Sequence, residues 1–153
     1  MVLSAVQAFE AAITAARAGG PRQAPGPPDS ATQGWTLAQA IAHCAHSVEC
    51  SMTAYPKLRS GLFRATIGPL VKRKFLRAGR MSHDVGASIP GAEPIVRTVT
   101  LDQAADRAIA AIRAFAAHDG SLAPHLAYGQ CTKDEYAQLH LLHVQDHLRS
   151  FGL

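Results

Sequence analysis

At 153 residues, with 48% hydrophobic and 17% charged side chains and a net charge of +4, the chain has the length of one domain and enough apolar surface for a core, which excludes a disordered polypeptide. Aromatic residues are only 6%, and abundant alanine favours closely packed helices over a β-sandwich. No run approaches the ~20 apolar residues of a membrane span, and the opening MVLSAVQAFEAAITAARAGG lacks the basic start of a secretory leader.

The elements follow from four capping boxes, each a Ser or Thr followed three residues later by Gln or Glu: Ser4…Gln7, Thr36…Gln39, Thr100…Gln103 and Thr132…Glu135. In such a box the hydroxyl accepts from a free N–H of the first turn, and the second side chain reaches back to the cap. The first helix is expected from about Ser4 to Arg17, with Val6, Phe9, Ile13 and Ala16 on one face, and Gly19-Gly20-Pro21 stops it. The Pro/Gly-rich stretch PRQAPGPPDSATQG reads as a connecting loop. The second helix starts after Trp35 and runs to about Tyr55, where Pro56 ends it; its stripe is Leu37, Ile41, Cys44, Val48, Met52 and Tyr55.

Between the second and third long helices lies a basic segment, 57–80. Leu62, Phe63, Ile67, Leu70, Val71 and Phe75 suggest one or two short helices there, with Gly68-Pro69 as a break. The stretch MSHDVGASIPGAEPIVRTV that follows is expected as extended loop, since Ile89-Pro90-Gly91 signals a turn. The third long helix covers roughly Leu101 to Ala117, with a seam of Leu101, Ala105, Ala108, Ile112 and Phe115. The fourth runs from Lys133 to about Phe151. The expectation is all-α: a single domain over 1–153, built as a four-helix bundle with a long crossover between helices two and three that carries the short extra helices. In such bundles, sites form from inward-facing side chains on different helices. The three cysteines, Cys44, Cys50 and Cys131, are odd in number and form no C-x-x-C pair, which fits a reducing cytoplasm.

Histidine is the abundant functional residue, with eight. On the fourth helix Tyr136, His140, His143, His147 and Phe151 share one face at ~100° per residue, so imidazoles stand where a core stripe belongs. Leu141, Leu142 and Leu148 point elsewhere and need other packing. Buried imidazoles cost free energy unless both nitrogens find partners, and a bound cation would satisfy several at once. His143 and His147 are i,i+4 neighbours, about 5–6 Å apart at Cβ, and can share one metal; His140 and His147 stand about 10.5 Å apart along the axis and cannot. A third ligand must come from another helix. The second helix offers His43, beside Ala40, Ser47 and Cys50, and His46, which looks solvated. Periodicity favours His43 only weakly.

Trp35-Thr36 followed by His43, with H-x-x-x-H near the C-terminus, resembles the DinB-like (YfiT-like) superfamily of metal-dependent helical bundles. The matching stretches are WTLAQAIAHCAHS and HVQDHLRSFG, and the loops GRMSHDVGASIPGAEP and APHLAYGQCTKDEY resemble an uncharacterised branch of it, the domain of unknown function 1569 type. Where that branch carries adjacent histidines, this chain has Asp146-His147. The resemblance implies His43, His143 and His147 as a metal triad. Beside that triad, His140 and, from its loop, His125 read as pocket residues or neighbours of the ligands. Glu49 and Asp146 are candidates to orient ligand imidazoles, Tyr136 and Tyr128 to donate to a bound oxyanion, and Cys50 lies on the same approximate face of its helix as His43. His83 and His118 are expected at the surface.

Three neutral imidazoles suit a divalent transition metal, zinc or nickel foremost, and leave a coordination position open. The resemblance implies a thiol-dependent transferase or isomerase, or a hydrolase, acting on a small-molecule substrate and using a low-molecular-weight thiol. Lys72, Arg73, Lys74 and Arg77 then offer anion binding. The other reading is a non-enzymatic bundle that binds partners through the basic segment 57–80. No nucleic-acid-binding motif accompanies that segment, so no specific nucleic acid is expected; a homodimer fits either reading.

Overall fold

The computed structural model describes residues 1–22 and 35–153. Among them lie six helices and no strand: α1 (Val2–Ala18), α2 (Leu37–Met52), α3 (Gly61–Ala65), α4 (Ile67–Ala78), α5 (Leu101–Ala117) and α6 (Lys133–Arg149). The connecting loop expected after α1 falls mainly on residues 23–34, outside the described residues.

Three of the four capping boxes form as read. Thr36, Thr100 and Thr132 each accept from the backbone N–H three residues on, and Gln39, Gln103 and Glu135 each accept from the cap's own N–H. The fourth does not: α1 begins at Val2 with Met1 as its cap, so Ser4 lies inside the first turn. Val2 packs against the core, and that contact draws the helix start forward. α2 closes at Met52, ahead of Pro56. The break expected at Gly68-Pro69 falls at Thr66 instead, between α3 and α4. Pro69 is tolerated in the first turn of α4, where its missing N–H has no helical acceptor to lose. Residues 79–100 hold no helix, and the N–H of Ala92 donates to the carbonyl of Ile89 (3.0 Å) at the expected turn.

The four long helices share one core. α1 and α2 each pack against both α5 and α6. Phe9 and Ile13, Leu37, Ile41 and Val48, Ile112 and Phe115, and Tyr136 and Val144 meet in it, and Ala104, Ala105 and Ala108 let α5 approach closely. α4 lies against the outer side of α6. There Phe75 and Leu76 cover Met81, Leu139 and Leu142. Of the three leucines expected to pack elsewhere, only Leu142 does so, because Leu148 joins the main core and Leu141 packs against it.

Two glycines weld that outer layer to the loop before α6. A Cβ on Gly68 would stand 2.1 Å from the carbonyl oxygen of Ala127, and one on Gly129 (φ +73°) 2.8 Å from that of Arg64. Neither backbone atom can swing away as a side-chain tip could. Gly68→Ala should therefore cost about 1–3 kcal/mol of unfolding free energy, the range for inserting a methyl into packed structure. Gly61→Ala, where nothing lies within 4 Å, should change little; denaturant melts of the two variants check this.

Candidate metal centre

The histidine face of α6 turns inward as its spacing requires. Tyr136, His140 and His147 are buried, and His143 is half-buried. α2 presents His43 to the same place, 5% exposed, while His46 is half-buried. The ring centroids of His43, His143 and His147 lie 4.8–5.1 Å apart. One nitrogen from each falls within 4.8 Å of the others, and the Nε2 atoms of His143 and His147 are 3.1 Å apart. Three histidines from two helices could thus hold a metal ion.

The donors fit such an ion. At zinc–nitrogen bonds of ~2.0–2.1 Å, tetrahedral ligands stand about 3.3 Å apart, so side-chain adjustments on the order of 1 Å suffice. Burial, with the charge of His83 and His46 adding, lowers the pKa of His43 to about 4. Burial with His43 and His83 lowers that of His147 to about 2. Burial, then the neighbouring imidazoles, holds His143 well below the usual range. All three rings are neutral near pH 7 and keep the lone pairs that a metal takes. The indole of Trp35 lies against two of them, with centroids 5.2 Å from His43 and 6.3 Å from His147.

A cavity of about 250 Å³ opens beside the cluster, lined by His43, His83, His125, Tyr128, His140 and His143. Arg59 adds a cation to its wall. His140 Nε2 lies 3.1 Å from Ser51 Oγ. That hydroxyl spends its proton on the carbonyl of Val48 (2.6 Å), so Nε2 of His140 carries the hydrogen. His125 accepts at Nδ1 from the N–H groups of Ala127 and Tyr128 (3.1 and 3.3 Å) and stacks on Tyr128 at 4.2 Å. Both rings line the cavity.

Other expectations are corrected. His83, expected at the surface, is half-buried, and its ring lies 4.9 Å from His143 and 5.1 Å from His147. Asp146 orients none of the three rings; its Oδ2 takes the backbone N–H (3.0 Å) and Nδ1 (2.7 Å) of His83. Glu49 is engaged by Arg107 through two bonds of 2.8 and 2.6 Å. Cys50 does not line the cavity itself but packs behind it, against Ile89 and beside Leu126, which do, and burial pushes its thiol up to about 11. Tyr136 donates to the carbonyl of Ala123 (2.8 Å) and stacks on His140, supporting the site from behind. Lys72 is turned inward, its Nζ 2.8 Å from both the Gln130 carbonyl and Glu135 Oε2. Arg73, Lys74 and Arg77 remain exposed. His118 caps α5, half-buried, with Nε2 3.3 Å from the carbonyl of Ser121. His83 escaped the sequence reading because it lies in a loop, where no periodicity assigns a face.

Burial lowers the pKa of His125 and of His140 to about 3, with Lys72 and His125 as the respective secondary causes. Between about pH 6.5 and these values the unfolded chain binds protons that the folded chain refuses. Stability is therefore full above the ordinary imidazole range and falls as pH drops, by about 1.4 kcal/mol per pH unit for each fully titrating group. In chelator-treated protein, urea unfolding between pH 5.5 and 4.5 should show this slope. His140→Gln should make it shallower by about one proton.

A protein-family model described as "Protein of unknown function (DUF1569)" matches residues 24–152. Searches of curated proteins and of solved structures returned no match. Since the family model covers most of the sequence, from just after α1 to the end of α6 and beyond, this chain belongs to the DUF1569 family.

Proposed function

We propose that this chain is a metal-dependent enzyme of the DinB-like type, acting on a small molecule with a thiol as co-substrate. In this reading residues 1–153 form one domain of the cytoplasm. Its long helices make a four-helix bundle, and α3 and α4 ride on the crossover between α2 and α5. His43, His143 and His147 hold one divalent transition metal, zinc or nickel. The observation that carries the reading is the convergence of three neutral imidazoles from α2 and α6 inside the core, next to a cavity. A satisfied structural histidine needs no such company.

When bound, the ion would supply Lewis acidity and stabilise a thiolate or hydroxide at neutral pH. The chain's own residues do the rest. Trp35 shields two of the ligand rings from water. His140 and His125, held neutral by burial, offer hydrogen-bonding nitrogens without adding charge. Arg59, with no ion-pair partner among the described residues, can receive a carboxylate of the thiol or substrate. Gentle purification should return about one transition metal per chain by elemental analysis. His143→Ala should lose it. A protein that arrives metal-free and takes up neither zinc nor nickel refutes the proposal.

A second reading, a binding module without catalysis, draws on a different surface. Leu62, Ile67 and Leu70 are 51–76% exposed beside exposed Arg73, Lys74 and Arg77, a combination suited to a second copy or an acidic partner. Reversing those three charges should abolish salt-sensitive retention on a polyanion matrix; unchanged retention counts against this reading.

A further inference from the structure

Outside the three-histidine set, the least explained group near the cavity is the imidazole of His83. It stands on the loop after α4, and three contacts fix that loop to α6. Asp146 Oδ2 takes both the backbone N–H and Nδ1 of His83, and Arg149 donates to the carbonyl of Met81 (2.8 Å). Arg149 also braces Asp146 through Oδ1 (2.5 Å). With Nδ1–H given to the carboxylate, a neutral ring keeps its lone pair at Nε2. That nitrogen is buried and has no hydrogen-bond partner among the described residues. A buried polar atom without a partner is costly, and its nearest rings are those of His143 and His147.

Ring spacing says what the atom suits. An imidazole bound at ~2.0–2.1 Å places its centroid about 3.2 Å from an ion, so rings at adjacent positions stand roughly 4.5–5.2 Å apart. The triangle of His43, His143 and His147 meets this spacing. The rings of His83, His143 and His147 also stand at this spacing and share one edge with that triangle. The nitrogens within 4.8 Å of one another, however, are those of His43, His143 and His147, so Nε2 of His83 would have to move toward the ion to bind it. Asp146 then plays the part a carboxylate plays behind a ligating histidine: it fixes the tautomer and the ring's direction.

We propose that His83 is a fourth nitrogen donor to the metal, aimed by Asp146, an inference that rests on the three-histidine reading above. Its chemical consequence concerns coordination number. Four protein nitrogens would give zinc the closed sphere of its structural sites, so with His83 bound the catalytic reading above requires nickel or another ion that accepts further ligands. An ion that accepts more ligands would keep a position toward the cavity, which His43, His83 and His143 all line.

The test uses the full-length chain, stripped by chelator and reloaded with cobalt(II) or zinc, with no activity assay. Wild type, His83→Ala, Asp146→Asn and a His46→Ala control are compared by visible cobalt absorption and by chelator competition. Circular dichroism confirms that each is folded. His83→Ala should alter the cobalt d–d bands and weaken zinc binding by about 10–100-fold; Asp146→Asn should weaken it toward the lower end of that range; His46→Ala should change neither. A folded His83→Ala chain with wild-type cobalt bands and affinity overturns the fourth donor and leaves the three-histidine site standing. A wild-type chain that takes up no ion overturns both.

Discussion

Neutral imidazoles brought together in a water-poor seam between α2 and α6 set the terms for this molecule. Each of His43, His143 and His147 gives up hydration to be there, and burial is the first cause of the depressed pKa of all three. The cost of burying such groups must be met by partners. Two of them, His143 and His147, meet each other at 3.1 Å. Nδ1 of His147 and Nε2 of His83 remain without hydrogen-bond partners among the described residues. An ion would answer at least part of that deficit, and the depressed pKa values leave the rings uncharged to accept it.

The histidine face shapes the packing around it. Because α6 spends its inward stripe on imidazoles, Leu139 and Leu142 are covered by another layer, formed by α4 and Met81. That layer is held by backbone close approach at Gly68 and Gly129 and by Lys72, which ties α4 to Glu135 and Gln130. Lys133 secures the other side, donating to the carbonyls of Ala116 and His118 at the end of α5 (2.8 Å each), where a cation complements the helix dipole. The basic segment is therefore not uniform: Lys72 belongs to the fold, whereas Arg73, Lys74 and Arg77 are exposed.

Helix positions were legible where local chemistry dictates them. Thr36, Thr100 and Thr132 cap their helices whatever the surroundings, because the capping bonds close within one turn. The box at Ser4 failed because a tertiary contact, Val2 on the core, outweighed one hydroxyl bond. The i,i+4 pair His143 and His147 was equally readable, since helical geometry alone makes them neighbours. His43 was harder: periodicity barely separated it from His46, and its face is defined only by how α2 is rotated against α6.

From the sequence by itself came the all-helical class, three helix starts and the inward turn of the α6 histidines, all set by bonds and spacings within a few residues. The tertiary structure decided that His43 closes the cluster, that Asp146 serves His83, that Lys72 is sequestered and that Cys50 lies behind the cavity wall and not in it. These depend on contacts between residues tens of positions apart. Residues 79–100 carry no periodic pattern from which a facing could be read, so the inward course of His83 emerges only once Asp146 and Arg149 draw its backbone onto α6.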